Sequence, residues 1–132
     1  FPARGDVIVF RSPKNSEVDF IKRIIGLPGE KVKIFNGKVY INGNQLDETA
    51  YLDPTVYTGP ESYLAENKEI TVPTGYYFVM GDNRMQSSDS RDFGPVLPSE
   101  FIGKVFFRYW PMDRFGKING VVYSTGNSFS NP

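Results

Sequence analysis

Residues 31–41 read Lys-Val-Lys-Ile-Phe-Asn-Gly-Lys-Val-Tyr-Ile, two short alternating runs on either side of an Asn-Gly pair. Asn and Gly tolerate the positive φ angles that a two-residue hairpin turn requires, and the pair is the strongest short hairpin signal. Alternation gives each run one apolar face for a core and one polar face for solvent. The stretch therefore predicts an antiparallel hairpin, and a second Asn-Gly turn follows at residues 42–43.

Similar short runs, rich in β-branched and aromatic residues, occur along the rest of the chain. They predict strands over residues 6–11, 19–25, 69–72, 76–80 and 102–110, with one helical turn at 98–101. We expect the strands at 69–72 and 76–80 to pair with each other across Pro73-Thr74-Gly75. Because no window keeps a helical apolar period, the sequence predicts an all-β fold of coiled antiparallel sheets that form a partly open barrel.

The length of the chain, 132 residues, suits one compact domain, so we assign residues 1–132 to a single domain. Residues 44–68 contain two prolines and a glycine with little periodicity, and they predict an irregular insert with one short strand. The chain has 15 basic and 15 acidic residues. This balance gives no reason to expect a nucleic-acid partner.

Histidine and cysteine are both absent from the chain. Their absence excludes Ser-His-Asp and Cys-His catalysis, disulfide scaffolds and nearly every kind of zinc site. We therefore expect no metal and no cofactor. Any acid-base chemistry must then use carboxylates, tyrosine or lysine.

One lysine lies inside an apolar predicted strand. In the run Phe20-Ile21-Lys22-Arg23-Ile24-Ile25, alternation places Lys22 on one face with Phe20 and Ile24, and Arg23 on the other. A free lysine has a pKa of about 10.4, and burial among apolar groups lowers it, which supplies the neutral amine that a general base needs. The alternative is an edge-strand lysine that extends its amine into water.

A polar turn follows the predicted strand at 76–80. Residues 81–91 read Gly-Asp-Asn-Arg-Met-Gln-Ser-Ser-Asp-Ser-Arg, with two aspartates, two arginines and three serines. A dense group of polar side chains at the end of a strand is typical of a functional site. Together with Lys22, the serines suggest a hydrolytic site that works without histidine.

Three stretches of the chain, at residues 4–10, 21–30 and 81–91, resemble consecutive signature boxes of the bacterial type I signal peptidases, in the same order. The resemblance implies a membrane-bound serine endopeptidase of the Ser/Lys dyad type. It also implies that the substrates are preproteins whose signal peptides are cut after an Ala-X-Ala pattern, at the outer face of the cytoplasmic membrane. The lipid surface is then a second expected partner.

Carried over to this sequence, the resemblance assigns Lys22 as the general base and Ser87 as the hydroxyl that orients it. It also implies ion pairs that hold the polar turn against the strand of the base, namely Arg23 with Asp82 and Arg91 with Asp89. The serines beside Ser87, Ser88 and Ser90, are expected to bond to the backbone.

Substrate is expected to bind as an added strand, which satisfies backbone groups while alternate side chains enter pockets. We assign this edge to Asp19, Phe20 and Ile21, with Ile21 lining a shallow pocket for small side chains.

The nucleophile of the family lies in a Ser-Met-X-Pro-like box well upstream of the lysine, after a membrane anchor. Only 21 residues precede Lys22 here, and Ser12 and Ser16 lack that context. We expect this chain to be a fragment that lacks the anchor and the nucleophile box and is inactive alone. The missing N-terminal segment of its own full-length chain is then a required partner.

Two alternatives remain open. A self-cleaving repressor domain of the LexA type would share the dyad and the β fold. A noncatalytic β module that binds extended peptides by strand addition would leave Lys22 as a surface residue.

Overall fold

The computed structural model describes residues 2–11 and 19–104 of the chain. Their regular elements are short, and all but two of them are strands. In chain order they are β1 (Val7–Arg11), β2 (Asp19–Gly26), β3 (Lys31–Phe35), β4 (Lys38–Ile41), β5 (Asn44–Gln45), β6 (Glu69–Thr71), β7 (Phe78–Met80), helix α1 (Ser90–Phe93), a 3-10 turn (Pro98–Glu100) and β8 (Phe101–Lys104).

The strands form two four-stranded antiparallel sheets, with the orders β7-β2-β1-β8 and β5-β4-β3-β6. Within the described residues the two sheets remain separate and open, without closing into one barrel. The prediction of an all-β fold made of antiparallel sheets is confirmed. The predicted helical turn is also present, at Pro98–Glu100.

The hairpin at residues 31–41 forms as predicted. Asn36 and Gly37 have φ angles of 51° and 79°, and Asn42 and Gly43, in the next turn, have 51° and 84°. The register pairs Ile34 with Val39 across the hairpin. Both side chains are buried, so the apolar face that alternation predicts is the face that packs in the core.

Two apolar clusters lie on the two faces of the first sheet. The larger contains Ile25 with side chains of both sheets, among them Val32, Ile34 and Phe78. The smaller is built around Ile24, with Ile8, Tyr77, Val79 and Val96. Adjacent residues of β2 therefore enter different clusters, which explains why this strand has a continuous apolar run.

The predicted pairing of residues 69–72 with 76–80 is wrong. β6 pairs with β3 in one sheet, and β7 pairs with β2 in the other. In the loop before β3, Gly29 N donates to the carbonyl of Val72, and Val72 N donates to the carbonyl of Glu30, both at 2.8 Å. These bonds use the backbone groups that Val72 would need for a hairpin with residues 76–80. The chain therefore crosses from one sheet to the other between β6 and β7.

Other boundaries differ from the sequence prediction. β7 begins at Phe78, and Tyr77 forms an isolated bridge with Val96. β8 covers only the start of the strand predicted at 102–110, and residues 105–110 lie outside the described part of the chain. Within residues 44–68, β5 is the one strand that forms, as expected for an irregular insert.

Gly26, at the end of β2, lies where the two sheets approach each other closely. A Cβ atom at this position would lie 2.8 Å from Val32 Cγ2 and 3.0 Å from Phe78 Cβ. Both neighbours are fully buried, so neither can move aside without disturbing the core.

We expect Gly26→Ala to lower the free energy of unfolding by about 1–3 kcal/mol, because overpacking forces the sheets apart. Urea denaturation of both proteins measures the difference. Gly59→Ala is the matched control, because its Cβ would meet Tyr57 at an ordinary 3.6 Å. Equal stability of Gly26→Ala and the native chain would contradict the close approach.

Candidate active site

Lys22 projects from β2 toward the loop that follows β7. Its Nζ lies 2.7 Å from Ser87 Oγ, to which it donates a hydrogen bond. The amine also lies over the Phe20 ring, 4.9 Å from the ring centre. The sequence prediction that Lys22 shares a face with Phe20 is therefore confirmed, and the amine is not free in solvent.

Burial lowers the pKa of the Lys22 amine below its ordinary value. The charges around it partly cancel: Asp89, Glu61 and Asp82 favour the ammonium, whereas Arg91 disfavours it. Desolvation is the largest of these effects, so more of the amine is neutral near pH 7 than in a free lysine.

Ser87 approaches the amine because residue 81, at the end of β7, is a glycine. A Cβ at Gly81 would overlap Ser87 Oγ and would lie 2.7 Å from Ser87 Cβ and 3.2 Å from Lys22 Nζ. Any larger residue would separate the hydroxyl from the amine. The glycine is therefore a steric requirement of the contact between Lys22 and Ser87.

The predicted ion pair between Arg23 and Asp82 is present. The Arg23 Nε and Nη2 atoms donate to the two carboxylate oxygens at 2.9 and 2.8 Å. Nη1 donates to the carbonyl of Gly5 at 2.7 Å, and the guanidinium lies 4.1 Å from the centre of the Tyr51 ring. This pair joins β2 directly to the start of the loop at 81–91.

The ion pair between Arg91 and Asp89 is present too, with two bonds of 2.9 Å. Asp89 also caps α1 through the Arg91 amide and accepts a bond from Gly81 N at 3.1 Å. Arg91 Nη1 reaches the carbonyl of Gly59 at 2.9 Å. The bonds of this pair connect the loop to Gly81, at the end of β7, and to Gly59 of the insert.

The neighbouring serines differ from each other. Ser90 Oγ accepts a bond from Val79 N at 2.9 Å, so its predicted role of satisfying the backbone is confirmed. Ser88 Oγ instead lies 3.4 Å from Asp92 Oδ2, a weak side-chain contact.

A cavity of about 530 Å³ opens beside the amine and the hydroxyl. Side chains from β2, the insert and the polar loop meet around it. The lining residues are Ile21, Lys22, Tyr51, Leu52, Asp53, Gly81, Asp82, Asn83, Gln86 and Ser87. A segment of substrate that entered this cavity would lie next to the amine.

The three residues predicted to bind substrate take different positions. Ile21 lines the cavity, whereas Phe20 packs beneath the amine and against Phe93, with ring centres 6.2 Å apart. The side chain of Asp19 lies outside the described part of the chain.

β7 pairs with only part of β2. β1 pairs with β2 along residues 19–23, whereas β7 pairs with Arg23, Ile24 and Gly26. The pairing of β2 with β7 thus runs from Arg23 to Gly26, next to the residues predicted to bind substrate.

The sequence did not reveal the contribution of the insert. Tyr51 and Leu52 form one wall of the cavity, and Glu48 forms an ion pair with Arg84 of the polar loop, with an N–O distance of 2.6 Å. Arg84 belongs to the polar stretch at residues 81–91, but the sequence indicates no partner for its charge. Nothing in the sequence around Glu48 indicates that it is the partner, since the two residues are 36 positions apart.

Within residues 2–11 and 19–104, no group of three or more acidic residues is arranged to hold a metal ion. In the same part of the chain, none of the helices has the length and apolar character needed to cross a bilayer.

Comparison with known proteins identifies the relatives of this chain. Residues 1–110 match the family described as signal peptidase, peptidase S26. The chain is 41% identical over 122 residues to a probable signal peptidase I-2 of Synechocystis sp.. It is 39% identical over 123 residues to signal peptidase IB of Staphylococcus aureus. The alignments cover 89% and 85% of this chain, and 52% and 63% of those relatives.

A solved structure also matches. The crystal structure of a signal peptidase I from Enterococcus faecalis superposes with a TM-score of 0.64 at 35% sequence identity. The match covers 80% of this chain and 97% of the crystallised chain.

The buried amine predicts a stability that depends on pH. Because the native pKa of Lys22 lies below the unfolded value of 10.5, the unfolded state binds more protons between the two values. The contribution of Lys22 to stability is therefore least favourable below the native pKa and rises as the pH approaches 10.5.

We expect Lys22→Met to be more stable than the native chain at pH 7, by on the order of 1 kcal/mol. The difference should shrink as the pH rises, and urea denaturation at several pH values measures it. Lys31→Met, on an exposed part of β3, is the control. A Lys22→Met protein that is less stable than the native chain at pH 7 would show that the ammonium stabilises the fold.

Proposed function

We propose that this chain, which belongs to the signal peptidase family (peptidase S26), carries the general base of a serine endopeptidase. That enzyme removes signal peptides from exported preproteins. The observation that carries the proposal is the bond of 2.7 Å between Lys22 Nζ and Ser87 Oγ. A lysine with a lowered pKa beside a hydroxyl is an arrangement that activates a nucleophile without histidine.

In the proposed reaction the neutral Lys22 amine accepts the proton of the nucleophilic serine hydroxyl. The serine oxygen attacks the carbonyl carbon of the scissile peptide, and the ammonium then donates its proton to the departing amine. A water molecule, deprotonated by the same amine, attacks the acyl-enzyme ester, the bond to the serine oxygen breaks, and the ammonium returns the proton to that oxygen as the new carboxylate is released. Burial lowers the pKa of the amine, which raises the neutral fraction that can act as a base near pH 7 and makes the ammonium a better proton donor.

Ser87 is proposed to orient the amine, and the nucleophile is a different serine. Ser87 Oγ accepts a hydrogen bond from Lys22 Nζ, and this bond fixes the direction of the amine. The Ser-Met-X-Pro box that bears the nucleophile in the family does not occur in the 132 residues. We therefore assign the nucleophile to a separate segment that bears that box, and we expect this chain alone to be inactive.

The substrate is proposed to lie as an extended strand along residues 19–22. The cavity that Ile21 lines next to the amine supports this placement. Small residues of an Ala-X-Ala site would fit beside a wall of Ile21 and Leu52. We propose that the site lies at the outer face of the cytoplasmic membrane, with the lipid surface as a second partner.

We expect Lys22→Ala in the full-length protein to lower kcat for an Ala-X-Ala peptide by about 1,000-fold or more, because the general base is lost. Ser87→Ala should lower kcat by about 10- to 100-fold, because the amine loses its orientation and remains present. Ser88→Ala, a change of the adjacent hydroxyl, is the matched control and should remain within about twofold of the native rate.

A serine-directed acylating reagent distinguishes the nucleophilic serine from Ser87, the serine that orients the amine. Mass spectrometry should place the adduct on a serine other than Ser87, and Ser87→Ala should still be labelled. An adduct on Ser87, or turnover by the isolated 132-residue chain that depends on Lys22, would contradict the assignment of the nucleophile.

A further inference from the structure

We infer that Glu48 and Arg84 form a positioning pair through which the insert, residues 44–68, holds the Lys22–Ser87 site in place. The inference rests on the proposed function, because the group being positioned is the proposed general base. It gives the insert a role in the site in addition to its place in the fold.

The contacts of Arg84 fix its orientation completely. Its side chain is buried, and Nη1 and Nη2 donate to the two oxygens of Glu48 at 3.0 and 2.6 Å. Nη1 also donates to Thr58 Oγ1 at 3.1 Å, so a second residue of the insert binds the same guanidinium. A bidentate pair with a third bond allows little rotation of either partner.

The third nitrogen of Arg84 connects this pair to the active site. Nε donates to the carbonyl of Gly81 at 2.7 Å, which closes the first turn of the polar loop. Gly81 is the residue whose missing Cβ lets Ser87 approach Lys22. In addition, Arg91 Nη2 donates to the carbonyl of Arg84 at 3.0 Å. Movement of Arg84 would therefore shift the part of the loop that presents Ser87.

Glu48 also positions the two residues of the insert that form one wall of the cavity. Its carboxylate accepts a bond from the Tyr51 hydroxyl at 2.9 Å, and its carbonyl accepts one from Leu52 N at 2.8 Å. Burial, followed by the charge of Glu48, raises the pKa of Tyr51, so the phenol remains a donor. Tyr51 and Leu52 both line the cavity beside Lys22. One carboxylate thus places the wall and the loop relative to each other.

Stability alone does not account for this pair. A buried ion pair gains little over apolar residues of the same size, because both charges lose their hydration. What the pair does provide is a fixed relative orientation of two segments that are far apart in sequence. The distinction can be tested, because a structural role alone would leave the titration of Lys22 unchanged.

The experiment follows the Lys22 amine in the native chain and in Glu48→Gln. Competitive labelling with acetic anhydride at several pH values, read by mass spectrometry of the peptide that carries Lys22, gives its pKa. In Glu48→Gln we expect that pKa to rise by about half a unit or more, a threefold smaller neutral fraction. The reason is that a loosened loop admits water to the amine.

The sign of the change identifies its cause. Asp89, Arg91, Glu61 and Asp82 are the charged groups that act on Lys22, and Glu48→Gln leaves all of them in place. Direct removal of the Glu48 charge would lower the pKa of Lys22, the opposite of the expected rise. Arg84→Lys keeps the charge but loses the fork of donors, so it should raise the pKa of Lys22 as well.

Glu30→Gln is the matched control. Glu30 forms a bidentate pair with Arg4, with N–O distances of 2.5 and 2.9 Å, and the same substitution there should leave the pKa of Lys22 unchanged. If Glu48→Gln does not fold, Thr58→Val decides the question, because it removes one bond to Arg84 and should still raise the pKa of Lys22.

The inference is overturned if folded Glu48→Gln and Arg84→Lys, or Thr58→Val in their place, keep the native pKa of Lys22. In that case the proposed function stands. If Lys22 of the native chain already titrates at the ordinary value of 10.5, the proposed function fails, and the inference fails with it.

Discussion

The contact between the Lys22 amine and the Ser87 hydroxyl is the constraint around which the rest of this structure is arranged. An ammonium held at 2.7 Å from a hydroxyl and removed from water is unfavourable, and burial lowers its pKa accordingly. The fold must therefore impose the contact from outside. β2 places the amine on an apolar face, and a glycine at the end of β7 gives the hydroxyl room to approach.

Three buried arginines hold the polar loop in place. Each binds one carboxylate through two nitrogens, and each connects the loop to another part of the chain. The pairs are Arg23 with Asp82, Arg84 with Glu48, and Arg91 with Asp89. Buried ion pairs contribute little net stability, but their geometry is strict. These bonds fix the loop at several points, and Ser87 of that loop faces the Lys22 amine.

The sequence predicted features that depend on neighbouring residues or on a recognisable motif. Asn36-Gly37 defined a hairpin through its own backbone preferences, and alternation along β2 placed Lys22 with Phe20. It could not predict features set by distant groups. The pairing of β7 depends on backbone bonds that Val72 makes elsewhere. The partner of Arg84 lies in an insert without periodicity, where no local pattern marks a carboxylate that will be buried.

The fold keeps the Lys22 amine desolvated beside Ser87. Titration of the lysine Cε resonances by ¹³C NMR tests it most directly, with the Lys22 signal identified by its loss in Lys22→Met. We expect a midpoint for Lys22 below 10.5 in the folded native chain, and a shift toward 10.5 on unfolding in urea. A midpoint at or above 10.5 in the folded chain would show that the fold does not desolvate the amine.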